Sequence, residues 1–439
     1  MGRRSHARAL DVWANGLRVG RWVIPTRGPP EFSYDTAWVE SEQARPLSLS
    51  LPMNFDGLPI KGDRVEFFFD NLLPDSEAIR QRIRARFSTR SGDAFDLLEA
   101  VGRDCVGALQ LLPAGKSPEG VFDIDATALG ETDVERQLRA AVLPPNPLHD
   151  DKEDFRISLA GTQEKTALLW HEGRWCKPHG TTPSSHIFKL PLGLVGGLRL
   201  DISSSLENEW LCARLLAGYG VPTAACEVLT FGEAKALVVT RFDRSLHSSG
   251  RYWLRLPQED FCQVAGVPSS LKYEADGGPG LEAIAAVLQG SESRDHDLEL
   301  LLKAQLLFWM LAATDGHAKN FSIRLLPGSR YRATPLYDVL SAWPVVGTRH
   351  DQLHPKKLRL AMALRGKSKH YRLSRIQRRH FNTTAQKCGL GTDMEPIITD
   401  VIARTPSVIE SVGTELPRGF PLDLFEAVTR RLQAVADQL

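Results

Sequence analysis

The 439-residue sequence predicts an α+β chain, and three observations point there. Tight-turn residues flanked by apolar runs recur at Asn15-Gly16, Gly232-Glu233 and Pro327-Gly328-Ser329, the mark of antiparallel hairpins. Among them lie helical runs, above all Leu298 to Ala313, which is apolar on nearly every face, as a fully buried helix is. The exit of that run carries Ala313-Thr314-Asp315-Gly316-His317-Ala318-Lys319-Asn320-Phe321, and Leu336-Tyr337-Asp338 follows the last of the hairpins.

Composition narrows the function classes. Charged residues make up 24% of the chain and the formal net charge is +1, ordinary for a globular protein and long enough for two or three subdomains. No apolar run is long enough to span a bilayer, and Met1 to Arg8 lacks the apolar core of a signal peptide, so a cytoplasmic location is expected. Six scattered cysteines, with no Cys-x-x-Cys pair, read as buried free thiols, with little case for zinc or a disulfide framework.

Taken in order, residues from about Leu10 to Leu112 read as a small mixed unit. Val12 to Val23 makes a hairpin about Asn15-Gly16, a dipeptide that tolerates the positive φ of a tight turn. Leu47 to Pro52 alternates like an edge strand that stops at the proline, and Ser76 to about Arg86 is a basic amphipathic helix. No catalytic constellation stands out here, so a docking or scaffold role is expected. Residues 113–154 turn polar and proline-rich, with one helical piece near Val134 to Val142, and read as a linker.

Residues 155–244 carry the next set of elements. Arg156 to Leu169 reads as strand, small-residue turn, strand. At its tip, Ala160, Gly161, Thr162, Gln163, Glu164 and Lys165 would bring backbone N–H groups close to phosphate oxygens, although an ordinary hairpin has the same pattern. His186 to Pro191 is a short apolar strand holding Lys189, and a lysine there needs an anion. The helix Leu206 to Leu216 offers Glu207 or Glu209, with Glu209 preferred. Two strands, Glu227 to Phe231 and Lys235 to Arg241, end at Thr240-Arg241-Phe242, where a hinge would present its backbone to adenine.

Asp315, Asn320 and Asp338 are the polar inventory of a phosphoryl-transfer site. In protein kinases a catalytic-loop Asp accepts the substrate hydroxyl proton, an Asn five positions on holds magnesium, and a later Asp holds the metal that bridges the ATP phosphates. Taken singly, Asp315-Gly316 is equally a helix stop and Asp338 a turn residue, so the ordered set carries the reading. Beyond it, the stretch between Asp351 and Asp393 has no acidic residue and eleven Lys or Arg, which favours a phosphate backbone or an acidic surface, or forms a solvated face. The remainder, within residues 245–439, reads as mostly helical packing.

Several stretches resemble the HipA serine/threonine kinase toxins of bacterial toxin–antitoxin modules: Arg45 to Pro52, Phe69-Asp70-Asn71-Leu72-Leu73-Pro74-Asp75-Ser76, Phe95 to Leu98, Gly102 to Asp104, Arg156 to Leu169, Arg255 to Gly280 with Lys272-Tyr273-Glu274, Thr314 to Phe321 and Tyr337-Asp338. The resemblance implies a two-lobed protein-kinase-like fold with a small N-terminal mixed α/β subdomain (1–112) that docks an antitoxin, and an all-helical C-terminal lobe. It implies ATP and magnesium as cofactors, Asp315 as general base, Asn320 and Asp338 on the metal, and Lys189 on the phosphates with Glu209 as its helix partner. Residues 160–165 would form the phosphate loop, Thr240, Arg241 and Phe242 would hold adenine, and His317, Lys319 and Tyr337 would lie by the nucleotide. Ser158 matches the serine that such kinases autophosphorylate to switch themselves off. The family further implies glutamyl-tRNA synthetase as target, growth arrest and persistence as outcome, and a HipB-like helix-turn-helix antitoxin that binds operator DNA with the toxin, with Arg375, Arg378 and Arg379 as candidate DNA contacts. A catalytically silent DNA-binding co-repressor and a small-molecule kinase are the alternatives.

Overall fold

The computed structural model describes residues 7–142 and 158–439. Arg156 and Ile157, where the phosphate-loop hairpin was expected to begin, lie outside them.

The N-terminal unit is a five-stranded antiparallel sheet in the order Ile60–Lys61, Glu31–Tyr34, Leu17–Ile24, Arg8–Ala14, Leu109–Pro113. Asn15 (φ 47°) and Gly16 (φ 84°) turn its first hairpin with both residues left-handed, as a two-residue turn requires. The inner face is aromatic: Trp22 stacks on Phe69 of the helix Asp63–Asp70 with ring centroids 4.1 Å apart. The edge strand expected over Leu47 to Pro52 does not form beyond an isolated Ser48–Leu51 bridge. Its backbone is used sideways instead. The Leu49 N–H donates to Glu259 Oε1 (2.9 Å), and Leu51 O accepts from Tyr34. Glu259, fully buried where this unit meets the C-terminal lobe, also accepts from the Ser48 hydroxyl, and burial pushes its carboxyl up to about 8.

A second antiparallel sheet of six strands runs Cys226–Phe231, Ala234–Thr240, His186–Lys189, Lys165–His171, Arg174–Pro178, Ala126–Ala128. Residues 113–142 are therefore not a linker. Ala126–Ala128 completes the sheet, and the helix Glu131–Val142 lays Val134 and Leu138 on a core with Leu168, Phe188, Phe231 and Val238. On the other side the helix Ser205–Gly218, buried along most of its length, joins the main core of the C-terminal lobe.

That lobe is built around the helix Arg294–Met310, whose middle is buried on every side (Leu301, Leu302, Ala304, Leu306, Leu307, Phe308). It starts earlier than the apolar run predicted, because Asp295 and Asp297 suit a helix's first turn, and it ends three residues sooner. Helices Leu281–Leu288, Arg378–Cys388, Glu395–Thr414 and Leu422–Ala436 surround it. The lobe that the resemblance implied to be all helical carries the hairpin expected about Pro327-Gly328-Ser329, Ser322–Leu325 with Tyr331–Ala333, extended by Gln258–Asp260 into a three-stranded sheet, and a second hairpin, Arg359–Arg365 with Lys369–Arg372. Its strand Arg359–Arg365 is buried from Leu360 to Leu364 and reads like buried helix when only its apolar run is considered. All six cysteines are free and buried. No helix among the described residues is long and apolar enough to cross a membrane.

Candidate active site

An open cleft of about 1070 Å³ lies between the six-stranded sheet and the C-terminal lobe. Its third wall is the N-terminal unit, through Asn71, Leu72, Asp75 and Val106.

Lys189 ends the central strand His186–Lys189, and Glu209 stands on the helix Ser205–Gly218 behind it. The Lys189 ammonium donates to Glu209 Oε1 (2.5 Å) and to Asp338 Oδ1 (2.8 Å). Glu207, the alternative partner, instead bonds Lys235. Burial pushes the Glu209 carboxyl up. At Asp338 burial acts the same way, but Lys189 and Lys165 overcome it and hold that carboxyl far below the usual range. Asp338 adopts φ 62°, a left-handed conformation rare outside glycine, as a residue held in place by its surroundings does.

The segment after Met310 delivers the rest. Asn320 donates through Nδ2 to the Asp338 carbonyl (3.2 Å), and its Oδ1 accepts from the His317 N–H (3.3 Å). That sets carboxamide and carboxylate side by side. Lys319 is buried in a nest of Asn71 (2.8 Å to Oδ1), Asp75 (3.3 Å) and Asp260 (3.5 Å). His317 is buried with no hydrogen-bond partner on Nδ1 among the described residues, and burial lowers its pKa. Asp315 contrasts with all of these: its side chain is 63% exposed. It faces the cleft mouth and accepts a hydrogen bond from the Tyr273 hydroxyl. Tyr337 lines the cleft while its hydroxyl is engaged with Ser322 and the Lys319 carbonyl.

The loop before Lys165–His171 is pinned by the N-terminal unit. Pro74 pairs with Gly161 as an isolated bridge, and the Asp75 N–H donates to the Gly161 carbonyl (3.0 Å). Ser158 is fully buried, its hydroxyl donating to the Leu72 carbonyl (2.7 Å). Gly161 sits at φ 110° with the Lys165 ammonium 2.7 Å from where a Cβ would be, so only glycine fits. Lys165 itself bonds the Ala160 carbonyl, and burial lowers it to about 8 although Asp338 acts against that shift; among the described residues it forms no ion pair.

Thr240, Arg241 and Phe242 line the cleft, while parts of some expected site residues are turned from it. Ser158 to Ala160 form no strand. Of residues 160–165, Ala160, Gly161, Thr162 and Lys165 line the cleft, whereas Gln163 is turned to the Leu190 carbonyl (2.6 Å) and Glu164 pairs with Arg82. At the hinge the N–H groups of Thr240 and Arg241 are already spent on the carbonyls of Ala225 (2.8 Å) and Ser185 (2.9 Å). The Arg241 guanidinium is buried in a network with Asp104 (3.3 Å) and Asp243 (2.8 Å), so its charge serves the subdomain junction. In the basic stretch Arg375 and Arg379 are exposed, but Arg378 is committed to Glu395 and the Leu439 carbonyl. Asn71, Asp75, Asp260, Lys272 and Tyr273 belong to the site and were not singled out as site residues; the only signal for most of them was their place in the strings 69–76 and 255–280.

Comparison with known proteins fits this geometry. Residues 157–409 match the model of the HipA-like C-terminal domain, and residues 10–112 match that of the HipA N-terminal domain. The chain belongs to the HipA family. A HipA-family relative, the "Serine/threonine-protein kinase toxin HipA" of Shewanella oneidensis, is 28% identical over 409 residues, 90% of this chain and 86% of that protein. Y4mE of Sinorhizobium fredii, named provisionally as a kinase, is 33% identical over 410 residues, 92% of each chain. A solved structure of Shewanella oneidensis HipA with HipB and operator DNA superposes with a TM-score of 0.78 at 23% identity, covering 98% of this chain and 97% of that one, and so shares the HipA fold.

Proposed function

We propose that this chain is an ATP-dependent serine/threonine protein kinase, the toxin of a toxin–antitoxin pair. The observation that carries the reading is the joining of Lys189, Glu209, Asp338 and Asn320 into one hydrogen-bonded cluster, with an exposed Asp315 on the same segment as Asn320.

The residues present suit Mg-ATP. Lys165 is a cation with no ion pair among the described residues, Gly161 leaves backbone room, and the cleft walls toward Ile187, Val239 and Phe242 are apolar. Asn320 and Asp338 are a two-ligand set of the kind magnesium uses when phosphates supply further oxygens. Bound there, magnesium would neutralise charge on the transferring phosphoryl group. Lys189, oriented by Glu209, is placed to hold phosphate oxygens, with Lys165 and the loop at Gly161 beside it. Asp315 then takes the proton from the acceptor hydroxyl as the new P–O bond forms and the bond to ADP breaks. Its exposure suits an acceptor presented by another protein.

Ser158 is the expected self-phosphorylation site. A phosphate of about −1.5 to −2 charges has no room where the hydroxyl now meets Leu72, so modification would expel the loop and end activity. A HipB-like antitoxin and operator DNA are the expected partners, with Arg375 and Arg379 the arginines still available to DNA, and glutamyl-tRNA synthetase is the expected target. The test is peptide mapping after incubation with Mg-ATP: a single phosphate on Ser158 in the wild type, forming roughly 100- to 10,000-fold more slowly in Asp315→Asn, supports the kinase, whereas equal labelling of both removes Asp315 from its role.

A further inference from the structure

Three successive side chains, Lys272, Tyr273 and Glu274, leave one loop in three directions. The Lys272 ammonium reaches Asp75 of the N-terminal unit (3.0 Å). Glu274 is buried and accepts from the Ala363 N–H (2.6 Å) and Lys369 (2.8 Å) on the basic hairpin. Between these anchors the Tyr273 hydroxyl donates to Asp315 Oδ1, and its ring lies edge-on to His317, centroids 5.0 Å apart. The loop has little freedom to place that hydroxyl elsewhere. A Cβ on Gly278 would lie 1.7 Å from the Leu271 carbonyl oxygen, and one on Gly280 would lie 2.3 Å from the Glu274 carboxyl carbon.

We propose that Tyr273 is the positioning residue for Asp315: it holds Oδ1 and thereby presents Oδ2 to the acceptor hydroxyl. This rests on the kinase reading given above. An exposed aspartate has a broad, nearly two-fold χ2 torsion, so an unheld carboxylate samples orientations that miss the acceptor. Near-attack geometry is worth a large part of a barrier, and a base must lie within hydrogen-bond reach of the proton it takes. Among the described residues no donor reaches Oδ2, which leaves it open toward the cleft. Burial and the Asp315 charge push the Tyr273 hydroxyl pKa upward, so the phenol keeps its proton and stays a donor. The loop's second anchor, Glu274, also ties the basic hairpin to the orientation of the base.

The experiment is a double-mutant cycle on the full chain with Mg-ATP as the sole added substrate, following phosphate transfer to Ser158 by intact mass and ATP affinity by titration. Tyr273→Phe is expected to slow transfer on the order of 10- to 100-fold with ATP affinity unchanged. In the Asp315→Asn background the same substitution is expected to have no further effect, because the two residues act as one unit. Site-specific 3-fluorotyrosine at 273, which keeps shape and donor, is expected to retain wild-type transfer; if Tyr273→Phe proves unstable, this residue against phenylalanine in the thermal melt separates folding from function. Normal transfer by Tyr273→Phe, or an equal loss in the Asp315→Asn background, overturns the inference while leaving the kinase reading intact. No transfer by the wild type overturns both.

Discussion

Two parts of the cleft lining are built on opposite terms. In one, Lys189, Glu209, Asp338 and Asn320 interlock, with the lysine and glutamate almost wholly buried and every member bonded to another. In the other, Asp315, on the same segment as Asn320, stands 63% exposed on a single side-chain hydrogen bond among the described residues. A nucleotide has one shape, and a prebuilt, ion-paired pocket suits it. On the proposed kinase reading, an acceptor carried on another protein arrives as a surface, and a base recessed behind a network would be out of its reach.

Substitutions in the two parts should therefore separate binding from chemistry. The largest effect is expected for Asp338→Asn, which removes the proposed metal ligand and a Lys189 partner together. Transfer should fall on the order of 1,000-fold or more, with nucleotide affinity falling too, read by titration with Mg-ATP. Asp315→Asn should cost roughly 100- to 10,000-fold in transfer, the worth of a positioned base, and leave nucleotide affinity as it was. Equal loss of affinity in both would erase the distinction between the two parts. Asp75→Asn takes one carboxylate from the buried nest around Lys319 and Lys272, and should lower unfolding stability by about 3 kcal/mol, as breaking a buried ion pair does, measured by denaturant melts. The last effect concerns a residue that does not itself line the cleft. Glu259 is pushed up to about 8 from an ordinary 4.5, so the folded chain keeps a proton there that the unfolded chain releases. Its contribution to stability is full below about 4.5 and declines as pH climbs through 8. The melting temperature should fall by roughly a few degrees over that window, and less in Glu259→Gln.

What was legible in the sequence follows a different divide. The cleft residues contributed by 158–439 could be read because their chemistry sits in short local strings: a lysine inside an apolar strand, glutamates on the next helix, and Asp315, Asn320 and Asp338 in fixed order. Even there, neighbouring residues of one loop diverge, and nothing local told Gly161 and Lys165, which face the cleft, from Gln163 and Glu164, which turn to Leu190 and Arg82. The wall made by Asn71 and Asp75 was hidden for a different reason. Lys319 meets Asn71 across 248 positions of sequence, and no periodicity encodes a contact of that range. The stretch 113–142 failed through composition: its prolines and polar residues conceal a three-residue strand that needs a neighbouring strand to exist at all.

The pairing of Pro74 and Asp75 with Gly161 bears on how this protein can be cut. A fragment starting at residue 157, where the match to the C-terminal family domain begins, would look like a whole kinase by motif. It would lose the strut under the loop at Gly161, leave Lys319 with Asp260 as its remaining acidic partner in the nest, and expose the hydroxyl of Ser158 to water. Such a fragment is expected to bind nucleotide poorly and to be cleaved first by protease at that loop, so the motifs mark the chemistry without marking the smallest unit able to perform it.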